Sequence, residues 1–355
     1  MESIVVAPKD TPASRHIEAA DRSIEVDFDE ASAIPTAQLA GILEQAGADA
    51  AHLGYQGQPE MFELASSAEK ADVAVVGTDL DVLGALTDPA TIRTAAERAH
   101  VRTVDEGFDR TRPREIAVLV AADSHGETAA IAECDRSLST TEHILIHETP
   151  SPELLFRSDG GAFRMALFES ARRLAAELRY AGLLEVKFHI DPSGLFWVSD
   201  VKIGLPRHHT LIEMVTRVDL VALQLRIASG EPIPDELESV ESQGHALDAS
   251  VLALDQTDAV VSSYSVAPAS QDRVRATSSA TVGMALPADD RPLIAKLTTY
   301  APIRHRALLS MDRMLAEMRA EPFSTNVQAL RQILSDFAFR AGQYDCESAL
   351  RFAAS

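Results

Sequence analysis

The stretch YAGLLEVKFHIDPSGLFWVSDVKIGLPRHHTLIEMVTRVDLVALQLRIASGEPIP, residues Tyr180–Pro234, decides the fold. Its first half predicts a β-hairpin, because two apolar runs, Leu184–Ile190 and Leu195–Val201, flank the turn sequence Asp191–Gly194. Its second half predicts a helix, because apolar residues recur at helical spacing through Leu211–Ile227. The stretch therefore reads as strand, turn, strand, irregular loop and helix.

A set of residues within this stretch recurs at the spacing of a known family: Gly194, Phe196, Glu213, Val218–Val221, Gln224–Leu225, Ile227–Ala228 and Gly230. With these residues the segment resembles the ATP-grasp core of biotin carboxylase, the component that carboxylates biotin in acyl-CoA and pyruvate carboxylases. Shorter matches at Glu133–Ser137, Gly244–Asp248 and Thr325–Val327 extend the resemblance. It covers most of the chain outside residues 8–22 and 104–112.

The resemblance implies an α/β protein, with α+β character in its C-terminal part, built like biotin carboxylase. It divides the chain into an N-terminal α/β domain at residues 1–110, an ATP-grasp core at 111–235 and a C-terminal biotin carboxylase domain at 236–355. Strand-like and helix-like segments alternate in the first region, which predicts parallel strand pairing there.

The predicted ATP-grasp core is truncated. Only Val104–Arg112 stands where the family inserts a mobile lid over ATP. That lid supplies a glycine-rich loop and two lysines to the ATP phosphates, whereas no lysine occurs here between Lys70 and Lys187. The resemblance therefore implies a core without most of its phosphate-binding lid.

The charge and composition limit the possible partners. A formal net charge of −22 argues against binding to nucleic acid or to anionic membranes, which need basic surfaces. No apolar run approaches the roughly 18–20 residues of a transmembrane helix. The N-terminus does not read as a signal peptide, so we expect a cytoplasmic protein. Cys134 and Cys346 stand alone in the sequence and predict two reduced thiols, without a disulfide or a zinc site.

The family's functional positions hold other residues in this sequence. The two metal-binding carboxylates fall on Phe188 and Asp200, and the neighbouring asparagine falls on Lys202. Asp200 is a candidate metal ligand, but a single carboxylate holds Mg²⁺ poorly. We predict instead an ion pair between Lys202 and Asp200. The glutamate taken as the bicarbonate base falls on His208, a possible base only within a complete site.

One catalytic-type residue matches the family. Val274–Ser278 fits the family pattern V-R-x-x-S near the biotin site, which makes Arg275 a candidate anion-binding residue. An ordinary arginine on a strand explains the same residue, because single motif residues carry little information.

Histidines near the end of the hairpin raise the question of a metal site. His208 and His209 are adjacent, and His189 and His143 lie earlier in the chain. Adjacent side chains on an extended segment point in opposite directions and rarely share one metal. We therefore expect these histidines to be solvated or satisfied by neighbours, and we predict no metal site.

The joint replacement of phosphate, metal and base positions predicts a catalytically inactive member of the family. The expected role is a structural or regulatory subunit of a biotin-dependent acyl-CoA carboxylase assembly, without a cofactor of its own. The expected partners are a second copy of the chain, an active biotin carboxylase or other carboxylase subunits.

Two alternatives remain open from the sequence. An active ATP-dependent biotin carboxylase, or another ATP-grasp ligase, would use ATP, Mg²⁺, bicarbonate and biotin on a carrier protein, with a lid from a partner chain. A sensor of small anions or acyl-CoA would use the cleft that holds ATP in the family, and Arg207 and Arg275 would bind the anion.

Overall fold

The fold is built on an antiparallel sheet to which the central and C-terminal regions both contribute strands. We describe it from a computed structural model of the chain. The structure describes residues 1–9, 15–27, 36–52, 54, 58–77, 80–104, 113–139, 144–254, 259–266, 274–278, 280, 282–286 and 292–353.

The strands of these residues are numbered in chain order. They are β1 Ile4–Pro8, β2 Arg22–Val26, β3 Ala50–His52, β4 Ala74–Val76, β5 Arg114–Ala122, β6 Thr128–Ser139, β7 Ile144–Thr149, β8 Gly182–Ile190, β9 Phe196–Ile203, β10 His245–Leu252, β11 Ser263–Ser265, β12 Val274–Ser278, β13 Leu293–Ala301 and β14 Arg319–Glu321.

The α-helices are numbered in the same way. They are α1 Arg15–Ala19, α2 Thr36–Ala46, α3 Gln58–Lys70, α4 Leu80–Ala85, α5 Pro89–Arg98, α6 Pro152–Phe156, α7 Gly160–Leu178, α8 His209–Thr216, α9 Leu220–Ala228, α10 Arg304–Glu317, α11 Val327–Ser335, α12 Phe337–Arg340 and α13 Cys346–Ala353. None of the helices in the described part of the chain is both long and apolar enough to cross a membrane.

The main sheet has the strand order β12-β13-β10-β7-β6-β5-β8-β9, and each neighbouring pair is antiparallel. The sheet crosses the predicted boundary at residues 235 and 236, because β10 pairs with β7 through Ala246–Ala249 and Ile146–Thr149. The N-terminal region pairs differently. There β1 pairs with β2, and β3 with β4, in parallel, as predicted.

Strand β5 is apolar from Ile116 to Ala122, as expected where both faces of the sheet are covered. Ile116, Val118 and Val120 pack on one face with α7 and the N-terminal helices. Leu119 and Ala121 face the opposite side, in the cluster that includes α8 and α9. A third cluster lies where α10 and α11 cover the C-terminal strands. The α/β fold class predicted from the sequence is confirmed.

The hairpin predicted in Tyr180–Pro234 is confirmed, with β8 and β9 joined at Asp191–Leu195. The single predicted helix over Leu211–Ile227 is wrong, because the chain forms α8 and α9 instead. Arg217 ends α8 in the left-handed region at φ 63°, and the Asp219 side chain caps α9. These local turns interrupt a run whose apolar spacing is continuous.

Glu148 on β7 connects the central sheet to the C-terminal helices. Its buried carboxylate accepts hydrogen bonds from Arg304 Nε at 2.7 Å and Tyr344 OH at 2.6 Å. His245 Nε2 lies 2.7 Å away. Burial alone raises the pKa of Glu148, but Arg304 and His245 outweigh burial and lower the pKa to about 2.

We expect Glu148→Gln to lower the free energy of unfolding by about 3–5 kcal/mol, because it leaves the charge of Arg304 buried without its partner. Urea unfolding at neutral pH measures this loss. The matched control is Arg331→Gln, which removes an exposed ion pair with Asp312 and should leave stability nearly unchanged.

The same pair of proteins tests the electrostatic origin of the effect. A depressed pKa stabilises the fold above the ordinary value of 4.5, and this stabilisation disappears as the pH falls toward about 2. The stability difference between wild type and Glu148→Gln should therefore shrink on acidification below pH 4.5. A difference that is constant with pH would contradict the electrostatic account.

Candidate functional site

Polar side chains gather on one face of the main sheet, beside the N-terminus of α8. Strand pairing sets Glu115 opposite His189, and Ala117 opposite both Lys187 and Cys134. Residues paired across antiparallel strands project to the same face. Glu115, Lys187, His189 and Cys134 therefore share this face, which we call the polar face.

Arg136 on β6 lies at the centre of the polar face, between two carboxylates. Its Nε is 3.4 Å from Glu115 Oε1, and its Nη1 donates a hydrogen bond to Glu185 Oε1. Burial on its own lowers the pKa of Arg136, but Glu185 and Glu115 raise it above the ordinary value. Arg136 is therefore a permanent cation that holds two acidic side chains in the interior.

Asp200 on β9 is paired with two lysines. Lys187 Nζ and Lys202 Nζ lie 3.2 Å and 3.3 Å from the same oxygen, Oδ2. The predicted ion pair between Lys202 and Asp200 is therefore confirmed. The second lysine, Lys187, was not anticipated; it comes from β8, where the strand register sets it opposite Asp200.

Phe188, the residue to which the resemblance assigns the family's first metal carboxylate, does not lie on the polar face. Phe188 is fully buried among the apolar residues on the opposite face of the sheet. The carboxylate that β8 presents on the polar face is Glu185, which the sequence analysis did not consider.

His208 is the residue at the predicted base position, and it lies in the interior. It occupies the N-cap position of α8 without capping the helix through its side chain, and it is only 3% exposed. Burial, followed by the charges of Arg136 and Lys296, holds the pKa of His208 well below its ordinary value. His208 is therefore a neutral, enclosed imidazole.

The histidines considered together in the sequence do not form a metal-ligating group among the described residues. His189 Nε2 lies 3.3 Å from Glu115 Oε2, and His209 Nε2 lies 3.4 Å from Thr210 Oγ1. His143 lies outside the described residues.

The structure groups His208 instead with residues from two other strands. One ligand-type atom from each of Cys134, His147 and His208 lies within 4.8 Å of the other two, and all three residues are buried. The rings of His147 and His208 meet edge to face, with centroids 5.3 Å apart. Sequence spacing could not reveal this group, because β6, β7 and α8 contribute one residue each.

Arg275 and Lys296 lie at the rim of the polar face. Arg275 Nη1 is 3.3 Å from Glu213 Oε2, and Lys296 Nζ donates a hydrogen bond to the carbonyl oxygen of Arg207. About half of the Arg275 side chain is exposed. A role of Arg275 in anion binding stays a prediction, but its charge is already matched by a carboxylate.

The site as a whole is a set of internally paired charges. Arg136 is matched by carboxylates and Asp200 by lysines, while His208 is neutral. Such pairing stabilises a buried polar surface, but it leaves little uncompensated charge to bind a phosphate or a hard cation.

Comparison with known proteins agrees with this architecture. Consecutive parts of the chain match the family descriptions "Biotin carboxylase, N-terminal domain" at residues 1–83, "Carbamoyl-phosphate synthase L chain, ATP binding domain" at 104–236 and "Biotin carboxylase C-terminal domain" at 259–348. The fold and these matches define an ATP-grasp protein of the carboxylase type. The chain belongs to the biotin carboxylase family.

Curated relatives match about two thirds of the chain. Methylcrotonoyl-CoA carboxylase subunit alpha of Rattus norvegicus is 30% identical over 235 residues, 65% of this chain and 32% of the relative. The biotin carboxylase of Haemophilus influenzae is 30% identical over 236 residues, 65% of this chain and 51% of the relative. The matched segment thus spans about a third to a half of these relatives.

Solved structures share the fold over the whole chain. A single-chain, multi-domain long-chain acyl-CoA carboxylase superposes with a TM-score of 0.86 and 26% identity, covering 100% of this chain and 39% of the other. The biotin carboxylase of Campylobacter jejuni superposes with a TM-score of 0.88 and 20% identity, covering 99% and 93%.

The two lysines beside Asp200 should contribute unequally to stability. Lys187 is 13% exposed and Lys202 is 54% exposed. We expect Lys187→Met to lower the free energy of unfolding by about 1–3 kcal/mol, since it removes a shielded charged hydrogen bond. Lys202→Met should change it by less than about 1 kcal/mol. Urea unfolding of both variants checks the order, and equal losses would contradict it.

Proposed function

We propose that this chain is a catalytically inactive biotin carboxylase homologue that serves as a structural or regulatory subunit of a biotin-dependent acyl-CoA carboxylase assembly. The observation that carries the proposal is the pairing of Asp200 with Lys187 and Lys202. At the position where the family resemblance implies a metal carboxylate, the chain's own ammonium groups take the place of a cation.

The argument from the cation starts with the needs of Mg²⁺. Mg²⁺ requires oxygen ligands in near-octahedral geometry, usually carboxylates together with substrate phosphates and water. Asp200 offers a carboxylate, but two positive charges lie within 3.3 Å of its Oδ2. Glu185, the other carboxylate near this position, is bound to Arg136. A magnesium ion at Asp200 would have to displace its lysine partners, and at Glu185 it would meet the charge of Arg136.

The argument from the base concerns access. A general base must reach the proton that it removes, directly or through one water molecule. His208 is 3% exposed and lies against Glu185 and His147. An enclosed imidazole in this position is unsuited to activate bicarbonate in an open cleft.

The argument from the phosphates concerns the length of the chain between α5 and β5. Helix α5 ends at Arg98 and β5 begins at Arg114. The resemblance implies a lid with a glycine-rich loop and two lysines at this point, and phosphoryl transfer depends on such positioning and charge. The short connection, without lysine, supports the loss of phosphate binding.

The assembly role draws on the relatives. Several are described by name as alpha subunits of methylcrotonoyl-CoA carboxylase, and one structural neighbour is a multi-domain acyl-CoA carboxylase. We infer that the present chain joins an assembly of this kind, as a homodimer or beside an active biotin carboxylase. Such a role requires the fold of the core and of the C-terminal region, and it does not require the ATP chemistry.

The first test is calorimetric titration of ATP with Mg²⁺ into the purified protein. We expect no heat of binding at high micromolar protein, because the cation site is occupied by lysines and the lid residues are absent. The biotin carboxylase of Haemophilus influenzae serves as the positive control. One-site binding, together with biotin-dependent ATP hydrolysis, would overturn the proposal and establish the active-enzyme alternative.

The second test addresses the assembly. The protein is tagged at its genomic locus and isolated from native lysate under gentle conditions. We expect a biotin-containing or carboxyltransferase subunit of an acyl-CoA carboxylase to copurify in stoichiometric amount. Isolation of the chain alone, as monomer or homodimer, would contradict a role as a subunit of such an assembly.

A further inference from the structure

We propose that Cys134, His147 and His208 form a binding site for one transition-metal ion of the Zn²⁺ class, with a structural role. The proposal goes beyond the function given above and does not depend on it. Thiolate and imidazole are the ligands that Zn²⁺ prefers in structural sites, and three buried residues of these types converge here.

The spacing of the ligand atoms suits one ion. The three atoms lie within 4.8 Å of one another. Zn²⁺ bonds of about 2.0–2.3 Å in a tetrahedral arrangement place neighbouring ligand atoms roughly 3.3–3.8 Å apart. Side-chain rotations that move each ligand atom by about an ångström therefore let all three atoms bind one ion. The hydroxyl of Ser139, 3.2 Å from His147 Nε2, provides the kind of contact that orients a metal-bound imidazole.

A second, independent observation is that a ring nitrogen of His208 has no hydrogen-bond partner among the described residues. Its Nε2 is buried and makes no hydrogen bond to any residue that the structure describes. The side chain also does not cap α8, although His208 occupies the N-cap position. Buried polar groups are nearly always paired, so an unpaired imidazole nitrogen aimed into a polar interior indicates a missing ligand.

Glu185 gives the third observation. Its Oε2 lies 3.1 Å from His208 Nε2, yet the two atoms are not aligned for a hydrogen bond. In a tetrahedral metal site the lone pair of each ligand points at the ion and not at the neighbouring ligand. Close but misaligned ligand atoms are therefore the geometry of a shared cation. Glu185 is placed to supply the fourth ligand or to hold a bound water molecule.

Metal binding changes the charge of the site in a defined way. Binding releases the thiol proton of Cys134 to solvent and leaves a thiolate. A buried thiolate needs a positive partner, and the bound divalent ion supplies it. Arg136, the nearby guanidinium, is already paired with Glu115 and Glu185.

The experiment uses the full chain, purified without a polyhistidine tag and with a phosphine reductant. Metal content is measured by mass spectrometry after dialysis, and the apoprotein is titrated with Co²⁺. Cysteine ligation produces a thiolate-to-cobalt charge-transfer band. We expect one equivalent of metal per chain and one such band. Cys134→Ser should weaken Co²⁺ binding by at least ~100-fold and abolish the band, because losing a ligand exceeds the effect of losing a second-shell contact.

The matched control is Cys346→Ser, which removes the other thiol of the chain. It should retain the band, the stoichiometry and the increase in Tm on addition of Zn²⁺. Loss of the band in Cys346→Ser with retention in Cys134→Ser would overturn the proposal. So would the absence of stoichiometric binding of either metal by the wild-type protein.

A further measurement covers the case in which Cys134→Ser fails to fold. X-ray absorption on the wild-type metal complex should show one sulfur donor and two or three nitrogen or oxygen donors. A first shell without sulfur would overturn the assignment. ATP binding and copurification with carboxylase subunits can fail or succeed without changing these results, so the two proposals are separable.

Discussion

The charge of Arg136 is the constraint on which the polar face of the sheet depends. Two acidic side chains, Glu115 and Glu185, lie on central strands whose other face is an apolar core, and burying a carboxylate is costly unless a cation lies beside it. Arg136 supplies that cation from β6, the neighbour of β5 on the side away from β8. The neutral state of His208 follows from the same arrangement, because burial and the arginine charge both disfavour an imidazolium. Arg136 thus acts on both carboxylates and on His208.

The fold can persist without the family's chemistry because the two faces of the sheet have separate tasks. The apolar face holds residues such as Ile116 and Phe188 against the helices, in a cluster separate from the one that contains Cys134. Residues on the polar face can therefore be exchanged, provided that the charges still balance. Asp200 illustrates the rule, since its two lysine partners keep a carboxylate in place without a metal ion. In this architecture the residues that hold the fold together can therefore stay the same while the residues of the site change.

The sequence predicted the hairpin and the α/β class well, because these depend on local periodicity and turn residues. It failed where a single residue changes the local geometry. Arg217 in the left-handed region divides a run whose apolar spacing is continuous, and Glu185 was not considered although the fold places it beside Arg136 and His208. The convergence of Cys134 and His147 on His208 was invisible, because each residue stands on a different element. A site whose residues come from different strands can be found only when the order of the strands in the sheet is known. The spacing of residues along the chain does not give that order.

The continuous sheet also has a mechanical consequence. Strand β10 is inserted between β7 and β13, so hydrogen bonds join the regions on either side of the predicted boundary at residues 235 and 236. That boundary divides the sequence but is not a hinge. A gene fragment that ends there would leave β7 as an open strand edge, prone to pairing with other chains. The core and the C-terminal region therefore share one sheet, and a force applied to either region is carried by the same backbone hydrogen bonds.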